Sequence, residues 1–148
     1  MHQRAFITGV AGFAGGFLAE HLLACGDAVM GATPDGRWEA NSSPTIRDSV
    51  QLVAWDLGSE KGPCIEALRR IEAFQPSAIY HLAALSVPDD CGKDAPLPAA
   101  MAVNVEGTRR VVQLAARLPS HPRLLLISSA KVYAPVEPAD PVVDESSP

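Results

Sequence analysis

Cysteine is scarce in this chain. Cys25, Cys64 and Cys91 are odd in number and lack metal-ligand spacing, which excludes a secreted disulfide scaffold and fits a reducing compartment. They read as small buried hydrophobes. No apolar run reaches the length of a membrane span, and the N-terminus enters a strand at once rather than a basic and then apolar leader. No membrane association and cytoplasmic residence are therefore expected by elimination. An excess of positive charge is missing too: 12 Lys and Arg stand against 17 Asp and Glu, for a net charge of −5. The Arg69-Arg70 and Arg109-Arg110 pairs fall on expected helices as solvated faces, so nucleic-acid binding is disfavoured. Internal repeats and a second-domain boundary are absent as well. At 148 residues a core can form without a metal or disulfide staple.

The stretch that is present and organises the rest is Phe6-Ile7-Thr8-Gly9-Val10-Ala11-Gly12-Phe13-Ala14-Gly15-Gly16. Gly9, Gly12 and Gly15 are spaced G-x-x-G-x-x-G, which permits positive φ, close approach of backbone to an anion, and tight packing of a helix on a strand. Amides at the helix start would then face phosphates. Glycines that only punctuate a loop are the bland alternative. The context favours the phosphate cradle, because the strand Ala5 to Thr8 comes first and a helix follows. That helix places Phe17, Leu18, His21, Leu22 and Cys25 near one face and stops at Gly26.

Further along, Ala28 to Ala32 reads as a second strand ending in the turn Thr33-Pro34-Asp35-Gly36. Arg37 to Ser49 is a surface loop with room for a helical turn, and Val50 to Trp55 is a third strand ending at Asp56-Leu57. A helix from Pro63 to Phe74 carries Ile65, Leu68, Ile71 and Phe74 at helical spacing. Ala78 to Leu82 is a fourth strand, and Val87 to Pro98 a loop. A long helix from Ala99 to Leu118 puts Met101, Val105, Val112 and Ala116 on one buried face. Arg123 to Ser128 is a fifth strand, apolar as strands covered on both faces are. Ala134 to Pro148 is proline-rich and irregular.

Strands alternating with helices predict an α/β fold, a Rossmann-type doubly wound parallel sheet of five strands in order 3-2-1-4-5 with helices on both faces. Ligand binds such sheets at the strand carboxyl ends, and there the candidates gather: Gly9 and Gly12, Thr33, Asp56, Ala83 and Ala84, Ser128 and Ser129.

At these residues the sequence resembles the extended short-chain dehydrogenase/reductase family, the nucleotide-sugar epimerases, dehydratases and reductases. Thr8 to Gly15 is similar to its T-G-x-x-G-F-x-G, Asp56-Leu57 to its adenine-contacting D-L, and His81-Leu82-Ala83-Ala84 to its H-x-A-A. Val103 to Thr108 resembles V-N-x-x-G-T, and Ser128 to Tyr133 resembles S-S-x-x-V-Y. The look of the first two strands is similar to GDP-mannose dehydratases and GDP-4-keto-6-deoxymannose reductases. The resemblance implies NAD or NADP as cofactor, a nucleotide-sugar substrate, hydride transfer, and a homodimer in the full-length protein. It implies cofactor contacts from Gly9, Ala11, Gly12, Phe13, Ala14, Gly15, Thr33, Arg37, Asp56, Leu57, Leu82, Ala83, Ala84 and Ser128, with no metal. Ser129 would bond the reacting oxygen, unless it is a strand-end cap. Asn104 would support the active site; a buried structural amide describes it equally well. His81 reads as a core histidine rather than a base.

Two departures from the family pattern carry consequences. Thr33 stands where an acidic residue would accept the ribose hydroxyls of NAD, Asp35 comes two positions late, and Arg37 is near, which favours NADP over NAD. The Tyr-x-x-x-Lys that supplies the family's base is missing, since neither Tyr80 nor Tyr133 has a lysine four residues on. The expectation is an N-terminal portion, with residues 1–133 as the NAD(P)-binding domain and 134–148 leading into the catalytic part, inactive alone. Lys131 occupies the place of the dehydratases' glutamate, so epimerisation or keto reduction is favoured over 4,6-dehydration. A non-catalytic NAD(P) sensor or an interaction module is the rival from another class. The fifth strand, left at a sheet edge, predicts poor solubility or self-association.

Overall fold

The computed structural model describes residues 2–40, 42–92, 95–129, 132–134 and 142–147. Lys131 and much of the expected tail, residues 135–141 and 148, lie outside the described residues. Five strands form one parallel sheet: β1 (Arg4–Thr8), β2 (Ala28–Thr33), β3 (Gln51–Ala54), β4 (Ala78–His81) and β5 (Arg123–Leu126), in the order β3-β2-β1-β4-β5. Register brings the carboxyl ends level, with Thr8 opposite both Ala32 and His81, Thr33 opposite Ala54, and His81 opposite Leu126. The strand order reverses between β1 and β4, so their loops leave in opposite directions and open a crevice there.

Alternation along each strand feeds two cores. Ala5, Ile7 and Val29 face Ala19 and Leu22 of α1 (Phe13–Ala24) and Ile46 of α2 (Pro44–Ser49). Phe6, Met30, Val53 and Ile79 face Ala67 and Ile71 of α3 (Ile65–Phe74) and Val111 and Leu114 of α6 (Thr108–Arg117). Helices therefore cover both faces. Trp55 stacks on Phe6 in the second core, with ring centroids 6.4 Å apart.

Several expectations are corrected by the packing. On α1 the buried residues are Gly15, Ala19 and Leu22, while Phe17, His21 and Cys25 are exposed. A Cβ at Gly15 would overlap the Gly9 carbonyl, so the helix sits too close to the loop for large side chains on that face. The loop after β4 contains a short helix, α4 (Pro88–Cys91). The long helix is not uniform: α5 (Pro98–Ala100) runs into a π-helical stretch, Met101–Gly107, and then into α6. Thr108 Oγ1 donates to the Asn104 carbonyl at 2.6 Å, competing for the acceptor four residues back that an α-helical amide would use. The wider turn breaks the 3.6-residue period. Val111, Leu114 and Leu118 reach the sheet, whereas Met101, Val105 and Val112 are 40–47% exposed and Ala116 is exposed.

Strand β5 is not covered on both faces. It is the sheet edge, and Leu125, Leu126 and Ile127 are about half exposed. Cysteines are not buried as expected either: Cys25 and Cys64 are exposed and Cys91 is half-buried. Cys64 caps α3, its Sγ accepting from the Ala67 amide at 3.4 Å.

Candidate functional site

The loop after β1 is shaped by what its glycines lack. Gly9 has φ +71°, and a Cβ there would lie 2.8 Å from the Ala83 amide nitrogen, so the ends of β1 and β4 meet across it. Its amide bonds the Ala32 carbonyl at 3.2 Å, and the Gly12 amide bonds the Gly9 carbonyl at 3.0 Å. Gly12 then caps α1 with no side-chain bond, and no acidic residue sits in the first turn. The amides of Phe13, Ala14 and Gly15 have no carbonyl of their own helix to bond, which leaves the positive end of α1 open to an anion.

A cleft of about 240 Å³ runs along the strand ends, lined by Thr8, Gly9, Ala32, Thr33, Pro34, Trp55, Asp56, Leu57, Ala83, Ala84, Leu85 and Val103. It continues through Gly9, Thr33 and Pro34 into a second hollow of about 450 Å³ bounded by Ala11, Gly12, Asp35, Arg37 and Glu39. The groove thus brings together Gly9, Ala11, Gly12, Thr33, Arg37, Asp56, Leu57, Ala83 and Ala84. Phe13 borders an adjoining hollow and packs edge-on against Phe17 at 5.1 Å. Gly15 is buried against the loop, and Leu82 packs into the α1-side core instead of lining the groove. Ser128 and Ser129 follow β5, exposed, and are not among the groove-lining residues.

Polar groups in the groove are arranged for a ligand. Asp56 Oδ1 accepts from the Gly58 amide at 2.9 Å, which fixes its carboxylate in an Asx turn at the wall. Asp35 Oδ1 accepts from the Arg37 amide at 3.0 Å. Among the described residues the Arg37 guanidinium has no hydrogen-bond partner. The Thr33 hydroxyl is buried, 4% exposed, and unpartnered, as is the Trp55 indole N–H. Small Ala83 and Ala84 leave the floor open. These polar groups, the glycine cradle and the open helix end are of a kind that fits a dinucleotide.

Behind the groove lies a network that periodicity alone did not indicate. The Ala83 amide donates to Thr8 Oγ1 at 3.3 Å, and Thr8 Oγ1 lies 2.6 Å from His81 Nδ1. His81 Nε2 lies 2.9 Å from Thr108 Oγ1, whose proton goes to the Asn104 carbonyl. Asn104 clamps Leu85 on both sides, accepting from its amide at 2.8 Å and donating to its carbonyl at 2.9 Å. Burial lowers the His81 pKa from its ordinary value. Gly107 lets the π stretch lie against Leu57, where a Cβ would come within 2.9 Å of the Leu57 Cβ. Thr108, Leu85 and Val103 were not singled out as site residues; the only signal was the place of Val103 and Thr108 in the Val103 to Thr108 motif.

Another hollow, of about 370 Å³, lies between α3 and α6. Among the described residues no group of His, Cys, Asp and Glu side chains is placed to hold a metal ion, and no helix is long and apolar enough to cross a membrane.

Comparison with known proteins agrees with this geometry. The sequence model of the NAD dependent epimerase/dehydratase family matches residues 5–148. The chain is 32% identical over 145 residues to a UDP-glucose 4-epimerase of Mycolicibacterium smegmatis, covering 97% of this chain and 44% of that protein. It is similar to the Bordetella bronchiseptica enzyme WbmG, solved in complex with NAD and UDP, with TM-score 0.75 and 25% identity, over 100% of this chain and 44% of that one. It is also similar to WbmH of the same organism, solved with NAD+, with TM-score 0.72 and 26% identity, over 100% of this chain and 46% of that one. The chain therefore spans less than half the length of these relatives.

Proposed function

Since the chain belongs to the NAD-dependent epimerase/dehydratase family, we propose that its strand-end groove binds NAD(P) and that the whole protein is a nucleotide-sugar epimerase or reductase working by hydride transfer. The observation that carries the proposal is the loop from Gly9 to Gly15, with Gly9 held at φ +71° against Ala83, open amides at the start of α1 and no acidic residue in that helix's first turn. Those amides receive the diphosphate, Asp56 and Leu57 the adenine, and Thr33 with Arg37 the adenosine ribose. The unpaired Thr33 hydroxyl and free Arg37 guanidinium favour NADP, while Asp35 and Glu39 on the same wall and the NAD in the relatives' structures weigh toward NAD. When bound, the nicotinamide supplies a reversible hydride acceptor.

In this reading Ala83 and Ala84 let the dinucleotide lie against the end of β4, and Ser129 bonds the oxygen of the reacting sugar carbon. Asn104 acts through Leu85, which it holds by both backbone groups. The substrate is a nucleoside-diphosphate sugar, by analogy with the UDP found in WbmG, and on the family resemblance alone the full-length protein is a homodimer. No Tyr-x-x-x-Lys occurs in these 148 residues, so the chain by itself binds nucleotide without turnover. The second reading is an NAD(P)-binding sensor without chemistry of its own.

Calorimetric titration with NAD and NADP tests the proposal. Saturable binding of either, with a rise in melting temperature, is expected. No heat and no thermal shift with both would overturn it. A downstream Tyr-x-x-x-Lys in the reading frame separates catalysis from sensing.

A further inference from the structure

The wall of the groove formed by Ala83, Ala84 and Leu85 is tied at both ends by residues that do not all face the groove. At one end the Ala83 amide bonds Thr8; at the other Asn104 bonds Leu85 twice. His81, 2% exposed, and Thr108 join the two ends from behind. Proton directions along this chain are determined. Thr108 Oγ1 gives its proton to the Asn104 carbonyl, so it accepts from His81, and Nε2 must carry hydrogen. With Nε2 carrying the hydrogen of a neutral, buried imidazole, Nδ1 is a bare lone pair, and the Thr8 hydroxyl, which accepts from the Ala83 amide, gives it its proton. Each member donates once and accepts once along the path.

We propose that His81 is a positioning residue: accepting from Thr8 at Nδ1 and donating to Thr108 at Nε2, it holds Ala83 to Leu85 in the register that forms the groove wall. This rests on the reading of the groove as a dinucleotide site and deepens it. A second proton on Nδ1 would leave the Thr8 hydroxyl without an acceptor and place charge in a buried site. Among the described residues no charged partner of His81 compensates. Arg109 of α6 pairs with Glu106 at 2.6 Å, Arg110 donates to the Leu57 carbonyl, and Arg117 lies at the far end of that helix. Arg4 and Arg123 sit at the opposite ends of β1 and β5, and Arg4 bonds the Gln75 carbonyl.

The pH consequence has a fixed sign. Burial places the folded pKa below the ordinary histidine value of 6.5, so the neutral imidazole contributes fully above that pH. The contribution is lost as pH falls through the lowered folded value. Groove geometry, and with it nucleotide affinity, weakens over the same interval.

The test uses Thr108→Val, Thr108→Ser and His81→Gln in this chain, with NAD and ADP-ribose as probes in calorimetry at pH 7.5 and in steps below pH 6.5. NMR reads the His81 tautomer and the hydrogen exchange of the Ala83 and Leu85 amides. The Nε2–H tautomer is expected in the wild type. Thr108→Val should speed exchange at both amides and weaken NAD roughly tenfold, the equivalent of about one hydrogen bond. Thr108→Ser should restore both. Wild-type affinity should hold between pH 7.5 and 6.5 and drop as pH falls through the lowered folded value, and the His81→Gln variant should lack that drop. An Nδ1–H tautomer, or a folded Thr108→Val variant with unaltered exchange and affinity, overturns the assignment. If the wild type takes up neither probe, the nucleotide reading fails, and tautomer and exchange alone decide the role of His81.

Discussion

Replacing Gly9 by alanine separates two costs that the structure combines at one residue. Gly9 has φ +71°, and an added Cβ would meet the Ala83 amide nitrogen at 2.8 Å and its Cα at 2.9 Å. Both are backbone atoms of β4's end and cannot swing aside. The left-handed backbone alone costs about 1–2 kcal/mol for an alanine. Forcing the two strand ends apart adds about 1–3 kcal/mol by the usual scale of overpacking. The total of about 2–5 kcal/mol is a large part of a typical domain stability. Gly62 is the internal control, because it has φ +66° with nothing within 4 Å of an added Cβ. Gly62→Ala should therefore lose only the about 1–2 kcal/mol of backbone strain. In urea unfolding at about 2 kcal/mol per molar, Gly9→Ala lowers the midpoint by roughly 1–2.5 M and Gly62→Ala by less than about 1 M. NAD titration completes the assay: Gly62→Ala binds as the wild type does, while Gly9→Ala, with its Ala83 wall displaced, is weakened by roughly tenfold or more. Equal midpoints for the two variants would refute the close contact of β1 and β4 at Gly9, and unchanged affinity in Gly9→Ala would refute its place in the groove.

Arg37→Ala should reduce affinity for NADP by roughly tenfold or less and leave NAD unchanged, with the difference shrinking at high salt as an exposed charge contact does. An equal loss for both nucleotides would mean that Arg37 does not meet a 2′-phosphate. Exposed Leu125, Leu126 and Ile127 on the edge strand predict reversible self-association in sedimentation velocity, relieved by Leu125→Lys; a monodisperse monomer would contradict this. ADP-ribose should bind this chain within a few-fold of NAD, and nicotinamide mononucleotide far more weakly, in the same calorimetric cell.

What the sequence made legible divides along a physical line. Strand positions, their order and the glycine turn follow from local patterns: β-branched and apolar runs, a turn at Thr33 to Gly36, and glycines where no Cβ fits. Which helix faces are buried did not follow. On α1 the hydrophobic residues Phe17 and Cys25 face solvent because Gly15 must touch the Gly9 carbonyl, and pattern records polarity, not how closely two backbones approach. The π stretch escaped for a related reason. Thr108 is an ordinary helical residue by propensity, and only its bond to the Asn104 carbonyl, set within a tertiary network, widens the turn. His81 was legible as a core histidine, but its two hydroxyl partners lie 73 and 27 residues away in sequence.

The groove is unevenly finished, and that unevenness bears on what this chain can do. The side proposed for adenosine is built by β1, β2 and β3, whose ends are buried: Thr8 and Thr33 are 1% and 4% exposed, and Trp55 is 3% exposed. The other side is built by Ala83, Ala84 and Leu85 after β4, where Ala84 is exposed; Ser128 and Ser129 beyond the edge strand β5 are exposed and do not line the groove. Affinity depends on donors already fixed before the ligand arrives, since ordering loose groups on binding subtracts from it. The fixed groups are the loop amides and the Thr33 hydroxyl, which can donate, and the Asx-turned Asp56 carboxylate, which accepts. A chain that binds through that half and leaves the reacting half open should hold a dinucleotide by its ADP portion and carry out no chemistry on it.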